Sequence, residues 1–294
     1  MEKSPEFLQE KLLKQYGQEI TEQIINGYSE KRPVTLRVNT IRANKTRVIE
    51  ELTKAHIIFK EVEWYQDALI IENVREEEIK KLEIYENGEI YLQSLSSMLP
   101  PIILEPKADE NILDMASAPG GKTTQMASLT GNCAMLTACE KNKIRAERLK
   151  YNLEKQGVRS VNIMVEDARK LDNFFSFDKI LLDAPCSGSG TTNIFETKFT
   201  QELIERSAKT QEELLRKAIK ILKPGQEMVY STCSILEQEN ENILKKFLSK
   251  VDIVPIKEIP GIPTLPTKIE GTLCVCPSKL YEGFFVAKIK KRSL

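Results

Sequence analysis

Apolar and polar positions alternate along this chain in two distinct rhythms. Residues 1–28 carry apolar side chains at helical spacing, and Gly27 is the expected end of that helical segment. VTLRVNT (34–40) then alternates as a half-buried strand does. TRVIEELTKAH (46–56) returns to the helical period, and IIFKEVEW and ALIIEN follow as strand candidates. This β-α-β-β order predicts a small α/β domain of RNA-binding, RRM-like type over residues 29–92. QSLSSMLPPIILEP (93–106) reads as a linker helix halted at its Pro-Pro pair.

From residue 107 to 294 the pattern changes. Continuous apolar runs of strand length (NILDM, AMLTACE, VNIMVED, FDKILLDAP, EMVYSTCS) alternate with helical stretches such as KIRAERLKYNLEKQG and TQELIERSAKTQEELLRKAIKIL. GFFVAKIKK closes the chain. Strands apolar on both faces, separated by helices, predict an open, mostly parallel Rossmann-like α/β sheet with helices on both sides. Ligands of such sheets bind beyond the carboxyl ends of the strands, near the point where strand order reverses.

That rule selects the residues to inspect. The first strand of this region runs into Asp114 and the turn Ala116-Ser117-Ala118-Pro119-Gly120-Gly121-Lys122; the second ends at Glu140, the third at Asp167. The fourth gives Asp183-Ala-Pro-Cys186-Ser-Gly-Ser-Gly, and the fifth Ser231-Thr-Cys233-Ser. Gly121-Lys122 looks like the end of a triphosphate loop, but the glycine that loop needs is replaced by Ala116, and Pro119 removes a backbone donor. An acid roughly 20–25 residues beyond a glycine-rich first turn is where doubly wound nucleotide binders hold ribose hydroxyls. Each feature alone has a structural reading: the turn as packing, Glu140 or Asp167 as a helix cap. Together the loop and the acids describe an adenosine-type pocket.

Cys186 and Cys233 sit in small-residue turns at neighbouring strand ends, beside an acid, which suits thiolate chemistry. Cys274 and Cys276, two apart in an apolar run, read as buried strand residues, and the lone His56 as structural. Two thiols without a histidine do not make a metal site, so none is expected. No C-x-x-C pair occurs and a disulfide framework is not expected.

Composition changes this picture little. At 41% hydrophobic and 29% charged residues the chain is ordinary for a globular protein. No run is long enough for a membrane span, no apolar leader precedes the first helix, and the cytoplasm is the expected location. Net charge is zero, but it is unevenly spread. Residues 31–60 hold eight Lys/Arg (Lys31, Arg32, Arg37, Arg42, Lys45, Arg47, Lys54, Lys60) against two acids, while 61–90 hold ten acids against three bases. This is either a basic face for phosphates or two solvated faces.

The motifs DMASAPGGKTTQ, DAPCSGSG and YSTCS followed by ENEN resemble the RsmB/Nop/Sun family of RNA cytosine-C5 methyltransferases, with LRVNT, QSLSSMLPP and GFFVAKIKK adding to the likeness over residues 30–291. The resemblance implies a class I methyltransferase sheet and S-adenosyl-L-methionine as cofactor. It implies rRNA or tRNA as partner, with no membrane and no metal, and action as a monomer. It implies that Ala116–Lys122 wraps the methionine and ribose moieties, Glu140 holds the ribose hydroxyls, Asp167 lies by the adenine, and Asp183 faces the methyl donor and target base. Cys233 is then the nucleophile, adding to cytosine C6, and Cys186 assists product release.

Three stretches depart from the family pattern. Ala116-Ser117 stands where Cys-Ala is usual, TTNIFETKFTQEL (191–203) replaces a basic stretch, and Gln226 takes the place of a second glycine. With no further RNA-binding segment read after residue 294, target choice is expected to rest on residues 31–60 and the cleft. The rival readings are a DNA cytosine-C5 methyltransferase, which would place the nucleophile at Cys186, and a non-catalytic cofactor-binding RNA assembly factor.

Overall fold

A computed structural model describes residues 4–191 and 199–293 of the chain. Helix α1 (Ser4–Ser29) bends at Gly17, whose φ of 77° lies in the left-handed region. Gly27 does not end the helix. It lies where a Cβ would come 2.0 Å from the Pro277 carbonyl oxygen, so the residue is small because the chain passes there. Leu8, Leu12, Ile24 and Tyr28 of α1 pack into the same core as Phe177, Tyr230 and Phe285.

The small sheet is built from β1 (Val34–Val38), α2 (Lys45–Lys54), β2 (Phe59–Val62), β3 (Tyr65–Ile71), the short helices α3 (Glu76–Ile79) and α4 (Glu83–Glu86), and β4 (Ile90–Leu92). The order is β2-β3-β1-β4, antiparallel throughout. The β-α-β-β segment is as predicted; β4, three residues long, carries too short a pattern to be read from sequence. One face buries Leu36, Val38, Leu69 and Ile71 against Val48 and Leu52 of α2.

Helix α5 (Leu95–Leu104) runs straight through Pro100 and Pro101, against the expected halt. A proline removes the N–H that would meet the carbonyl four residues back. Here the Ser97 carbonyl freed by Pro101 accepts from Gln93 Nε2 at 3.1 Å instead. Leu95, Met98, Leu99, Ile103 and Leu104 are all buried, so packing holds the helix where local propensity would end it.

The large domain follows as β5 (Asn111–Asp114), α6 (Gly121–Leu129), β6 (Met135–Cys139), α7 (Lys143–Lys155), β7 (Val161–Met164), β8 (Phe177–Asp183), α8 (Gln201–Ile221), β9 (Leu222–Thr232), α9 (Glu241–Lys245), β10 (Val251–Val254), β11 (Thr264–Leu265), β12 (Leu273–Val275) and β13 (Phe284–Lys291). The sheet order is β11-β12-β13-β9-β8-β5-β6-β7, with β10 also on β13. Strands β5 to β9 are parallel, and β13 returns antiparallel to β9. Strand order reverses between β5 and β8, and the ends of β5, β8 and β9 open there into one cleft. Cys274 in β12 and Cys276 just beyond it are buried, as read from their spacing.

Candidate active site

The first wall of the cleft is the turn between β5 and α6. Asp114 ends β5 almost fully buried. It accepts from Thr123 Oγ1 at 2.6 Å and from the Ala116 N–H at 3.4 Å, and burial raises its carboxyl to about 6. The Ser117 hydroxyl turns inward, 3.0 Å from the carbonyls of Asp114 and Cys139, tying the turn to β6. The carbonyls of Ala118 and Pro119 accept from Arg145 and Asn152 of α7, each at 2.8 Å. Gly120 has φ 110°, and a Cβ there would sit 3.0 Å from Leu149. The turn is thus held by side chains of α6 and α7 and by the Ser117 hydroxyl.

Lys122 leaves the turn and crosses the cleft. Its ammonium is 2.7 Å from Asp183 Oδ2 and 2.8 Å from Ser97 Oγ. Asp183 Oδ1 also accepts from Ser231 Oγ at 2.8 Å.

Glu140, at the end of β6, is 5% exposed; it accepts the Asn142 N–H at 2.8 Å and lies 3.4 Å from Arg145. Asp167 caps the short helical turn Ala168–Lys170: it accepts the Arg169 N–H at 3.0 Å and pairs with the Arg169 guanidinium at 2.5 Å. Those hydrogen bonds hold its carboxyl down at about 2. Glu140 and Asp167 share a hollow of about 50 Å³ with Ala116 and Pro185. On the other side of Ala116 a hollow of about 230 Å³ is lined by Tyr91, Ser97, Asp114, Lys122 and Asp183.

The second wall carries the two cysteines. Cys186, after β8, and Cys233, after β9, bring their sulfurs to 2.9 Å. The contact with Cys233, reinforced by burial, pushes the Cys186 thiol well up, and either sulfur can be the donor between them. Behind the pair lies Glu239, 0% exposed. Its carboxylate accepts from the Ser187 N–H (2.8 Å), Ser187 Oγ (2.5 Å), Ser234 Oγ (2.6 Å) and Gln211 Nε2 (3.1 Å). It therefore ties the loop after Cys186 to the loop after Cys233. Asn240 braces the Cys233 side alone, accepting from Thr232 Oγ1 at 2.6 Å and donating to the Ser234 carbonyl at 2.8 Å. Tyr28 of α1 donates to the Ser189 carbonyl.

Glu239, Asn240, Ser97 and Tyr91 were not among the residues selected from sequence. ENEN was visible as part of a family signature, but nothing local in it says that Glu239 and Asn240 hold the cysteine loops. Part of TTNIFETKFTQEL lies outside the described residues. Among the described residues no cluster of three His, Cys, Asp or Glu could hold a metal ion, and no helix is long and apolar enough to cross a membrane.

Half of the bases of residues 31–60 are paired with carboxylates. Lys45 pairs with Glu61, Arg47 with Glu89, Lys54 with Glu51 and Lys60 with Glu72. Arg32 and Arg42 are spent on backbone carbonyls. Arg37 is wholly buried, donating to Thr124 Oγ1 at 2.9 Å and to the Gly121 carbonyl and Gln93 Oε1 at 3.3 Å. Acids of 61–90 meet three of the eight bases of 31–60, Lys45, Arg47 and Lys60, and Lys54 pairs within the segment.

A Rossmann-like sheet with an antiparallel last strand, an acid-ended cofactor turn and a small ferredoxin-like sheet is the architecture of a class I methyltransferase with an accessory domain. A sequence model of the 16S rRNA methyltransferase RsmB/F family matches residues 101–290, and one of the RsmF/B-like ferredoxin-like domain matches residues 4–76. The chain belongs to the RsmB/F family. It is 36% identical over 285 residues to ribosomal RNA small subunit methyltransferase F of Shewanella piezotolerans, covering 91% of this chain and 60% of that protein. It is 38% identical over 219 residues to the tRNA (cytosine(72)-C(5))-methyltransferase of Pyrococcus horikoshii, covering 72% and 55%. The chain thus spans somewhat over half the length of these relatives. The crystal structure of NSun6 from Pyrococcus horikoshii with SFG superposes with a TM-score of 0.89 at 26% identity, covering 98% of both chains.

Proposed function

We propose that this protein methylates carbon 5 of cytosine in rRNA or tRNA, using S-adenosyl-L-methionine and a covalent adduct through Cys233. The observation that carries the reading is the approach of Cys186 and Cys233 to 2.9 Å beyond the ends of two neighbouring strands, β8 and β9, the first of which ends in Asp183, itself in the hollow beside Ala116. The hollows either side of that turn suit the cofactor's chemistry. Glu140 offers a carboxylate to vicinal hydroxyls, Asp167 stands at the far side for a nucleobase, and Asp114 and Asp183 give the other end the negative charge a sulfonium favours. When bound, the cofactor supplies an electrophilic methyl group.

The chain's own residues supply the rest. C5 of cytosine is a poor nucleophile while the ring is aromatic. The Cys233 thiolate adds to C6, the C5–C6 π pair moves onto the ring as an enamine, and C5 can then take the methyl. N3, charged by the addition, takes a proton from solvent and gives it back at the end. Loss of the C5 proton to water returns the C–H pair to the C5–C6 bond and expels the Cys233 thiolate, and covalent catalysis of this kind divides one hard step into easier ones. Cys186, protonated and 2.9 Å away, is the S–H donor for the leaving sulfur. Asp183, paired with Lys122, is an acceptor for the exocyclic amine of the base rather than a proton donor to N3. The target base must leave its stack to enter the cleft.

Methyl transfer from labelled cofactor to rRNA, tRNA and DNA, assayed in parallel, tests this. Label in cytosine C5 of RNA is the expected result. Label in DNA alone, or cofactor binding without transfer to any nucleic acid, contradicts it.

A further inference from the structure

The small sheet is the expected place for RNA, yet neither face of it is free. One face is covered by α2. On the other, Thr35 donates to the Gln93 carbonyl at 2.6 Å and Arg37 is buried against Gly121 and Thr124. Tyr65, the aromatic of β3, is 6% exposed. Sheets of this type bind RNA by stacking bases on exposed aromatics of the central strands, and here that platform is consumed by contact with the large domain.

The rim of the sheet is different. A hollow of about 580 Å³ and another of about 400 Å³ share Lys31, Arg32, Val34, Arg75 and Leu280. The second in turn shares Leu92, Gln93 and Ser94 with the hollow that holds Lys122 and Asp183. The three hollows thus follow one another, each bordering the next through shared residues, from the edge of the small sheet to the site. At its outer end stand Lys31, Lys60, Arg75 and Lys279, all exposed. Elsewhere in this domain Lys45, Arg47, Lys54, Lys80 and Lys81 each have a carboxylate within 4.0 Å. Lys31, Arg75 and Lys279 have none among the described residues, and Lys60 shares Glu72. The inner part passes Glu76, Glu77 and Glu282, which confines phosphate binding to the outer end. No aromatic side chain among the described residues lines either hollow.

Given the reading of the chain as an RNA methyltransferase, we propose that this path is a track for single-stranded RNA flanking the target base, with its phosphodiester backbone held at the outer end by Lys31, Arg75 and Lys279. Without aromatics the track positions the strand and does not read its sequence.

The test is titration of a fluorescein-labelled single-stranded oligoribonucleotide with the whole protein at several salt concentrations. In K31A/R75A/K279A, affinity is expected to fall about tenfold or more, and the slope of log affinity against log salt to flatten by about 2, near 0.7 for each lost phosphate contact. The charge-keeping K31R/R75K/K279R should restore both. A control triple on α7 and α8, K150A/K209A/K220A, should bind as wild type. Cofactor affinity, read by calorimetry, should be unchanged in the track variant. Unchanged affinity and slope in that variant, equal loss in the control triple, or no binding of the oligonucleotide by the wild type would overturn the track. An enzyme that methylates RNA while the triple variant binds normally defeats the track alone; a wild type that methylates no RNA defeats the underlying reading.

Discussion

On the wall of the cleft that carries Cys186 and Cys233, a buried carboxylate gathers four hydrogen bonds from residues far apart in sequence. On the facing wall, the turn from Asp114 to Gly121 is shaped by its own backbone, with carbonyls held by α7 and a glycine at φ 110°. The first wall must fix two sulfurs against each other and depends on particular side chains. The second must let a ligand approach closely, and depends mainly on small residues and backbone conformation.

The largest expected effect falls on the cysteine wall. C233A should lower methyl transfer by on the order of 10⁴-fold or more, because the acceptor carbon stays aromatic without the thiolate; wild-type-like rates would remove Cys233 from the chemistry. Next comes E239A, which removes the shared acceptor of four hydrogen bonds, two of them buried and two part-buried. A loss of about 3–5 kcal/mol in urea unfolding is expected, and a loss below about 1 kcal/mol would mean the two loops hold themselves.

The cofactor wall should respond less. Burial raises the Asp114 carboxyl from 3.8 to about 6, so between those values the folded state holds a proton that the unfolded chain has released. Stability should therefore fall as pH rises through that window, by roughly 2–3 kcal/mol, and level off above about 6. In D114N this slope should be missing from the urea midpoints; an identical slope would assign it to another group. The smallest effects are expected from the turn itself. G120A strains a left-handed position and should cost roughly 1–3 kcal/mol, and S117A gives up one hydrogen bond, about 1 kcal/mol. A larger loss for S117A than for E239A would invert the comparison between the walls.

Much of this arrangement was legible in the sequence because β-α alternation is local. Each strand ends where its apolar run ends, and Asp114, Glu140, Asp167, Asp183, Cys186 and Cys233 could be placed without any knowledge of distant contacts. What stayed hidden is long-range or short-lived in pattern. Glu239 finds Ser187 across 52 residues and Gln211 across 28. Arg47 finds Glu89 across 42, so composition suggested a basic face where the fold makes ion pairs. Strands β4 and β11 are three and two residues long, below any readable period. The Pro-Pro pair misled because burial on all sides of α5 outweighs two lost hydrogen bonds. Asp167 also pairs with Arg169, a neighbour two residues on that sequence gave no reason to single out.

The central claim is that Cys233 forms the covalent bond to RNA and Cys186 helps to break it. The direct measurement is denaturing gel electrophoresis of C186A and C233A after incubation with the cofactor and an RNA that the wild type methylates. The account predicts a retarded protein–RNA species in C186A, where release is impaired, and none in C233A. A covalent species in C233A with none in C186A would contradict it and exchange the roles of the two cysteines.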